Sequence, residues 1–253
     1  MFRNLFQKRR VKATTPDGAV PPGQRVYAVG DIHGRLDLLE ALLQQIDADD
    51  ATRPPAETTL LFLGDLIDRG PESAQVVERL RRLRATGANI RLLLGNHEEV
   101  YLLALSGDIE ALRFFARIGG KETILSYGIA PADYDRYDYP ELMAAFQASV
   151  PESHIDFIRA FEDLIVMGDY AFVHAGVRPE SPLDTQVTKD LRWIRQGFLD
   201  HADPLERIIV HGHTIAEEVE WGVHRIGIDT GAYRTDRLTA LALENDQRWL
   251  IQT

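Results

Sequence analysis

Short apolar runs alternate with amphipathic segments along the chain from Arg25 onward. Each of the first three runs ends at a glycine, as buried strands commonly do, and each precedes a segment with apolar residues at helical spacing. The predicted elements, in order, are strand Val26–Val29, helix Leu36–Ile46, strand Leu60–Leu63, helix Ala74–Leu83, strand Ile90–Leu94 and helix Glu98–Leu105. This β-α-β-α-β order predicts parallel strands joined by right-handed crossovers.

The later part of the chain is expected to contain a helical insertion and a second group of strands. Residues 107–162 are predicted to be mostly helical and to form an insertion that flanks the functional site. Apolar runs return at Ala171–Val173, Ile208–Val210, Val223–Ile228, Leu238–Leu243 and Trp249–Ile251. The last three runs are close in sequence, which favours an antiparallel meander and a second sheet. The predicted fold class is therefore α/β.

The first 23 residues have the composition of a flexible basic tail. Residues 1–22 carry five basic residues and one acidic residue, a net charge of +4, and become rich in proline and glycine towards residue 23. Phe2, Leu5 and Phe6 lie at helical spacing, so the alternative is a helix that docks on a membrane surface or a partner. Residues 24–253 are expected to form one domain.

Charge and composition exclude several kinds of chemistry. The net charge is −11, so the chain after residue 22 carries −15 and has no long-range field that would attract nucleic acid. There is no cysteine, which excludes disulfides and thiolate chemistry and leaves nitrogen and oxygen as metal ligands. No stretch approaches the roughly 18 apolar residues of a membrane span, and no signal-peptide core is visible, so the cytoplasm is the expected location.

Five short motifs contain most of the candidate chemistry. Each places Asp, Asn or His beside glycine directly after a short apolar run: Gly30-Asp31-Ile32-His33-Gly34, Gly64-Asp65-Leu66-Ile67-Asp68-Arg69-Gly70, Gly95-Asn96-His97-Glu98, His174-Ala175-Gly176 and His211-Gly212-His213-Thr214. One such motif alone is a weak signal, because short matches give many false positives. Five in this order are not expected by chance. In parallel sheets, ligands bind beyond the carboxyl ends of the strands, where the first three motifs fall.

The polar residues of these motifs are the candidate ligands of two divalent metal ions. Asp65 can bridge two cations with its two carboxylate oxygens. We expect one ion to bind Asp31, His33 and Asp65, and the second to bind Asp65, Asn96, His174 and His213. Mixed oxygen and nitrogen ligands without sulfur fit manganese best, with iron or zinc as alternatives. Two such ions promote in-line displacement at phosphorus and lower the pKa of a water molecule between them.

Together the motifs resemble those of the metallophosphoesterase superfamily, which includes calcineurin. Asp65-Leu66-Ile67-Asp68-Arg69-Gly70 with Gly95-Asn96-His97-Glu98 is similar to the serine/threonine phosphoprotein phosphatase branch, and Ile228-Asp229-Thr230-Gly231-Ala232 is similar to its bacterial and phage members. The resemblance implies a four-layer α/β/β/α sandwich of two mixed sheets flanked by helices. It also implies a dimetal phosphomonoesterase, most simply a serine/threonine protein phosphatase acting on phosphoproteins or small phosphate esters.

The resemblance also implies roles for four residues outside the ligand set. His97 corresponds to the general acid that protonates the leaving group, after in-line attack by a hydroxide held between the metals, and Asp68 to the carboxylate that orients it. Arg69 and Arg195 correspond to the arginines that bind phosphate oxygens. In the last motif the family pattern makes His213 the ligand, although an exchange with His211 stays open. Glu98 and Asp229 are expected to orient ligands, with a helix N-terminal acid as the alternative for Glu98.

Two alternatives to the protein phosphatase hypothesis follow from the same residues. Leu94 precedes Gly95 where many protein phosphatases have arginine, and Leu94-Gly95-Asn96-His97 is similar to bacterial symmetrical dinucleoside tetraphosphate (diadenosine tetraphosphate) hydrolases. Those enzymes typically lack an aspartate at the position of Asp68, which argues the other way. The second alternative is a non-catalytic protein that has kept the fold, although such proteins usually lose ligands and none is missing here.

Overall fold

Two five-stranded sheets form the centre of the protein in a computed structural model that describes residues 18–253. The strands are β1 (Gln24–Val29), β2 (Glu57–Phe62), β3 (Ile90–Leu92), β4 (Leu164–Met167), β5 (Tyr170–Val173), β6 (Ile208–His211), β7 (Glu220–Trp221), β8 (Arg225–Gly227), β9 (Thr239–Glu244) and β10 (Gln247–Gln252). The first sheet has the order β10-β9-β1-β2-β3, and the second has the order β4-β5-β6-β8-β7. Both are mixed, because the pairs β1–β2, β2–β3, β5–β6 and β6–β8 are parallel and the others are antiparallel.

Ten helices accompany the two sheets in the described residues, and the first two connect the parallel strands β1, β2 and β3. They are α1 (Leu36–Ala51), α2 (Ser73–Ala85), α3 (Asn96–Leu105), α4 (Ile109–Phe115), α5 (Lys121–Ser126), α6 (Pro131–Arg136), α7 (Tyr139–Ser149), α8 (Glu152–Arg159), α9 (Thr188–Trp193) and α10 (Ala232–Thr235). A π-helical turn, Ala116–Gly120, joins α4 to α5, and a 3-10 turn covers Leu183–Thr185. Most of residues 107–162 is helical, in α4 to α8.

The alternation of side chains along the strands separates three apolar clusters. In β1, Val26 and Ala28 face the second sheet, whereas Tyr27 and Val29 face the helices. In β6, Val210 lies in the cluster between the sheets, while Ile209 lies in a third cluster with Phe198 on the outer face of the second sheet. Because neighbouring residues of a strand point to opposite faces, each sheet is buried on both sides. The predicted α/β/β/α sandwich is thus confirmed.

The predicted meander of the last three strands is wrong. The strand β8 runs parallel to β6 in the second sheet, whereas the hairpin of β9 and β10 pairs antiparallel with β1 at the edge of the first. The strand β9 suits that place because Leu241 and Leu243 fill the space between the sheets while the small Ala240 and Ala242 pack on the helix side. The chain therefore crosses from one sheet to the other between β8 and β9. The sequence did not predict β4 and β7, the two edge strands of the second sheet, whose residues are mostly only partly buried or exposed.

The start of the described chain packs against the domain. The backbone N–H of Val20 donates to the carbonyl of Asn245 at 2.9 Å, and that of Asp169 donates to the carbonyl of Ala19 at 2.9 Å. The Val20 side chain is buried. Residues 1–17, with most of the expected basic tail and the alternative docking helix, lie outside the described residues. Within residues 18–253, no helix is both long enough and apolar enough to cross a membrane.

Candidate metal centre

The five motifs lie where strands of both sheets end. Asp31 and His33 follow β1, Asp65 follows β2, and Asn96 and His97 begin α3. His174 follows β5, and His213 follows β6. These seven side chains are all 7% exposed or less. Burial of so many polar groups at one edge is costly unless they bind one another or a ligand.

The local backbone allows the side chains to approach one another closely. His33, Asp65 and His213 adopt positive φ angles of 48°, 48° and 64°, which are uncommon for residues other than glycine and are typical of functional sites. A β-carbon at Gly95 would overlap Oδ1 of Asp65, and one at Gly212 would overlap Oδ1 of Asp31. Glycine is therefore needed at position 95 to leave room for the Asp65 carboxylate, and at position 212 to leave room for the Asp31 carboxylate.

Asp65 lies between two groups of histidines. Its Oδ2 is 3.7 Å from Nε2 of His33 and 3.8 Å from Nε2 of His97. Its Oδ1 is 3.4 Å from Nε2 of His174. In each of the groups His33–Asp65–His97 and Asp65–His174–His213, the ligand atoms lie within 4.8 Å of one another. Asp65 is thus the residue common to both.

Asn96 belongs to the second group. Its Oδ1 is 3.0 Å from Nε2 of His174 and 2.9 Å from Nδ1 of His213, and these two ring nitrogens are 3.2 Å apart. His174 Nδ1 lies 2.8 Å from the carbonyl of Leu63, which acts as its acceptor, so its Nε2 lone pair faces the group. His33 is held in the same way, with Nδ1 2.7 Å from the carbonyl of Ile67. A backbone partner on one ring nitrogen is the usual arrangement of metal-binding histidines.

The donor set fits divalent cations. Carboxylate and amide oxygens converge with unprotonated ring nitrogens, so lone pairs face one another unless a cation lies between them. Burial lowers the pKa of His33, His174 and His213, in the last case to about 2, which keeps the rings neutral as metal ligands must be. Oδ1 of Asp31 and Nε2 of His213 are buried and find no hydrogen-bond partner among the described residues.

Asp31 lies beside the last motif. Its Oδ2 accepts a hydrogen bond from the backbone N–H of His213 at 2.9 Å. Burial, with the nearby charge of Asp229, raises the pKa of Asp31. Burial also raises the pKa of Asp229, to about 6. Asp31 is not part of the compact group of His33 and Asp65, where the structure places His97. The structure therefore brings all six predicted ligands to one site. Five of them lie in the two groups around Asp65, and Asp31 joins them through the hydrogen bond from the backbone N–H of His213.

His97 and Asp68 form a buried pair at the margin of the first group. Nδ1 of His97 is 2.5 Å from Oδ2 of Asp68, and both side chains are almost inaccessible to solvent. Burial would lower the pKa of His97, but the charges of Asp65 and Asp68 outweigh it and raise that pKa. Nη2 of Arg69 lies 3.1 Å from Nε2 of His97, and its guanidinium lies 4.8 Å from the ring of Tyr233. Because a guanidinium can only donate, Nε2 of His97 accepts from Arg69 in this arrangement, and the ring proton lies on Nδ1 towards Asp68.

The remaining motif residues have distinct surroundings. Arg195 is exposed at the rim, and its Nη2 is 3.3 Å from the carbonyl of His213. His211 packs against Phe198 at 5.1 Å between ring centroids, so the structure places His213, and not His211, beside His174 and Asn96. The hydroxyl of Thr123 is 2.5 Å from Oδ1 of Asp68. Thr123 is not predictable from the sequence motifs, because it belongs to none of them and lies 55 residues from Asp68.

The sequence profile of the calcineurin-like phosphoesterase family matches residues 24–240. The chain belongs to this family. The family implies a dimetal centre, in agreement with the two groups that share Asp65.

Curated relatives match a shorter stretch of the chain. The symmetrical bis(5'-nucleosyl)-tetraphosphatase of Yersinia enterocolitica is 46% identical over 83 residues, which are 33% of this chain and 25% of that protein. The enzyme of the same name from Pectobacterium atrosepticum is 45% identical over 83 residues, 33% of this chain and 26% of that protein. The match thus spans about a quarter of the length of these relatives.

Solved structures match nearly the whole chain at low identity. A protein provisionally described as a diadenosine tetraphosphatase aligns with a TM-score of 0.61 and 22% identity, covering 93% of this chain and 98% of the other. A protein serine/threonine phosphatase from Saccharomyces cerevisiae aligns with a TM-score of 0.55 and 16% identity, covering 91% and 80%. At these identities the similarity establishes the shared fold.

Proposed function

We propose that this protein is a dimetal phosphohydrolase that cleaves symmetrical dinucleoside tetraphosphates. The observation that supports hydrolysis at phosphorus is the position of Asp65, whose two carboxylate oxygens face two separate groups of histidines. One carboxylate between two sets of ligands is what a pair of cations about 3.5–4 Å apart requires. When bound, the two ions would supply Lewis-acid activation of water and of the phosphoryl oxygens.

The ligand assignment is part of the same proposal. His33 and Asp65, with Asp31 through its unpartnered Oδ1, would hold one ion. Asp65, Asn96, His174 and His213 would hold the other. Manganese fits this mixture of nitrogen and oxygen ligands best, and iron and zinc are the alternatives.

Relatives and chemistry support the tetraphosphate as substrate. The curated relatives at 45–46% identity are symmetrical tetraphosphatases, and Leu94-Gly95-Asn96-His97 is similar to that group. In the proposed reaction, water attacks one of the two inner phosphorus atoms and the bond from that phosphorus to the central bridging oxygen breaks. One nucleoside diphosphate keeps the hydroxyl of the water, and the other leaves with the bridging oxygen, which takes the second proton of the water. Arg69 and Arg195 would bind the phosphoryl oxygens, since both guanidinium groups lie next to metal-ligand groups.

A phosphomonoesterase acting on phosphoserine or phosphothreonine is the second candidate, and the buried Asp68–His97 pair favours it. An alkoxide leaving group is strongly basic and needs a proton. Protonated His97 would give it from Nε2 while Asp68 holds the Nδ1 proton, with Arg69 turned from Nε2 to the phosphoryl oxygens. A nucleoside diphosphate is a much weaker base and needs this acid less. The pair thus has more to contribute to monoesters than to the tetraphosphate.

One substrate panel tests both candidates. The specificity constants kcat/KM are measured for diadenosine tetraphosphate, a phosphoserine peptide and p-nitrophenyl phosphate, with manganese and with excess chelator. We expect the highest value for diadenosine tetraphosphate, ADP as its product, and no turnover in chelator. A higher value for the phosphoserine peptide would replace the first candidate with the second. Full activity in chelator would contradict dimetal hydrolysis, and a metal-replete protein inactive on all three substrates would favour a non-catalytic role.

The variant His97→Asn adds a second criterion. If His97 is the general acid, its loss should lower kcat by about 10²–10⁴-fold on the phosphoserine peptide and much less on p-nitrophenyl phosphate or diadenosine tetraphosphate. Equal losses on all three substrates would contradict the acid role.

A further inference from the structure

Thr123 contacts the carboxylate that is paired with His97. It lies in α5, within the helical segment 107–162, and is fully buried. Its Oγ1 is 2.5 Å from Oδ1 of Asp68, while Oδ2 of the same carboxylate is 2.5 Å from Nδ1 of His97. Each oxygen of Asp68 therefore has one short hydrogen-bond partner, and the two partners come from different parts of the chain.

The turn that carries Asp68 is conformationally demanding. Asp68 and Arg69 adopt φ angles of 73° and 68°, so two consecutive non-glycine residues are left-handed. Such a conformation is unfavourable for residues other than glycine and persists only where the surroundings determine it. The Asp68–His97 geometry thus depends on whatever holds this turn in place.

The helical segment supplies much of that support. The backbone N–H of Asp68 is 2.9 Å from both Oγ1 of Thr123 and Oγ of Ser73. The backbone N–H of Arg69 donates to the carbonyl of Gly119 at 3.0 Å, in the π-helical turn just before α5. The backbone N–H groups of Asp68 and Arg69 therefore each have a hydrogen-bond acceptor in the helical segment, Thr123 for the first and Gly119 for the second.

The hydroxyl protons can be assigned from the number of donors. Thr123 has one O–H, and Asp68 Oδ1 and Ser73 Oγ both lie within reach of it, the latter at 2.9 Å. A hydrogen bond to a carboxylate is about twice as strong as one between neutral groups, so the Thr123 proton goes to Asp68. The Ser73 hydroxyl then donates to Thr123. The result is one continuous chain of hydrogen bonds from Ser73 to His97, in which the Asp68 carboxylate accepts from both the Thr123 hydroxyl and Nδ1 of His97.

We propose that Thr123 is a positioning residue for proton transfer, which fixes the Asp68 carboxylate so that it holds His97 in the orientation needed to protonate the leaving group. This inference rests on the acid role of His97 proposed above. It gives the helical segment a catalytic purpose, because α5 is attached beside the site by the hydrogen bond from the backbone N–H of Ala74 to Ser126 Oγ at 3.0 Å. Thr123 itself does not touch the substrate.

The test compares Thr123→Val with Thr123→Ser on two monoesters. Valine keeps the shape of threonine but cannot donate or accept, whereas serine keeps the hydroxyl. We expect Thr123→Val to lower kcat on the phosphoserine peptide by at least about tenfold, with KM nearly unchanged and a much smaller loss on p-nitrophenyl phosphate. Thr123→Ser should recover most of the lost rate. Thr59→Val is the matched control, because Thr59 is also buried and hydrogen-bonded, at 2.8 Å to Asn89, but lies away from the site.

The outcomes separate the inference from the function on which it rests. Thr123→Ala is measured alongside valine, and circular dichroism identifies the variants that keep the native fold. If His97→Asn discriminates between leaving groups but a folded Thr123 variant loses rate equally on both esters, or matches wild type, Thr123 is not a positioning residue. If His97→Asn itself shows no discrimination, the acid role fails and the inference with it. Selective loss in Thr123→Val or Thr123→Ala, rescued by serine, supports the inference.

Discussion

The carboxylate of Glu98 accepts a hydrogen bond from the backbone N–H of Asp65 at 2.8 Å. The same carboxylate accepts from the backbone N–H of Leu66 at 2.8 Å and of Gly95 at 3.0 Å, and all of these groups are buried. Glu98 therefore ties the loop after β2 to the loop after β3. Of the two roles that the sequence left open for Glu98, the contacts favour orientation of Asp65.

The variant Glu98→Gln should weaken both the fold and the metal site. Glutamine has an amide nitrogen, which cannot accept, in place of one of the two carboxylate oxygens. The backbone N–H groups that face this nitrogen would lose their acceptor, which should lower the free energy of unfolding by about 1–3 kcal/mol. Metal affinity should fall by about 10–100-fold, as for other groups that orient ligands. Urea unfolding and calorimetric manganese titration measure the two effects. The control Glu99→Gln, whose carboxylate binds Arg192 and Trp193, should leave metal affinity unchanged, and equal affinities in Glu98→Gln and wild type would contradict the assigned role.

The variant Asp65→Asn should lose tight binding of both metal ions. Because its two oxygens face both groups of histidines, one substitution removes a charged ligand from each. We expect close to two ions per chain in wild type and fewer than one in Asp65→Asn, measured by elemental analysis after dialysis. Manganese should raise the melting temperature of wild type and not of the variant, since only a binding-competent fold is stabilised by its ligand. Asp50→Asn, which removes a partner of Arg25 outside the site, is the control for loss of a carboxylate. Two ions retained in Asp65→Asn would show that the carboxylate is not shared.

The variant Arg195→Lys should affect phosphate binding more than folding. Arg195 is exposed and makes one 3.3 Å contact with the carbonyl of His213, so little stability depends on it. Lysine keeps the charge but cannot form the bidentate contact of a guanidinium. We expect KM to rise by about tenfold, equivalent to one charged hydrogen bond of about 1.5 kcal/mol, with a small change in melting temperature. Inhibition by inorganic phosphate should weaken in parallel. An unchanged KM in both Arg195→Lys and Arg195→Ala would remove Arg195 from the phosphate site.

Local periodicity was sufficient to predict the three parallel strands β1, β2 and β3 and the motifs at their ends. The continuous apolar run from Val26 to Val29 encodes a strand buried on both faces, and the glycines mark strand ends where parallel order brings the motifs together. Glycine is required at positions 95 and 212 because a side chain there would overlap the carboxylates of Asp65 and Asp31, respectively. These properties depend on a few neighbouring residues, so the sequence alone reveals them.

Long-range contacts were not predictable in the same way. Thr123 reaches Asp68 because α5 packs beside the turn, and no spacing in the sequence encodes that contact. The allocation of β8 and β9 to different sheets depends on which strand edge each pairs with, and the apolar pattern of a strand does not name its partner. The place of His97 in the group of His33 and Asp65 likewise follows from the left-handed turns at His33 and Asp65.

A buried histidine far from the metal centre gives a prediction for stability against pH. His154 packs between α2 and α5, with Nδ1 3.0 Å from the hydroxyl of Tyr127 and Nε2 3.1 Å from Oε2 of Glu78. Burial lowers the pKa of His154 below its usual 6.5, although Glu78 opposes the shift. The folded protein therefore resists protonation that the unfolded chain accepts, and stability present above pH 6.5 is lost as the pH falls through 6.5 towards the folded pKa.

The variant His154→Gln, which can accept from Tyr127 and donate to Glu78 without titrating, should lose less stability than wild type between pH 7 and pH 5. Urea unfolding of both proteins across this range, in chelator so that metal-linked protons are absent, measures the difference. Parallel curves for the two proteins would show that His154 titrates alike in the folded and unfolded chains.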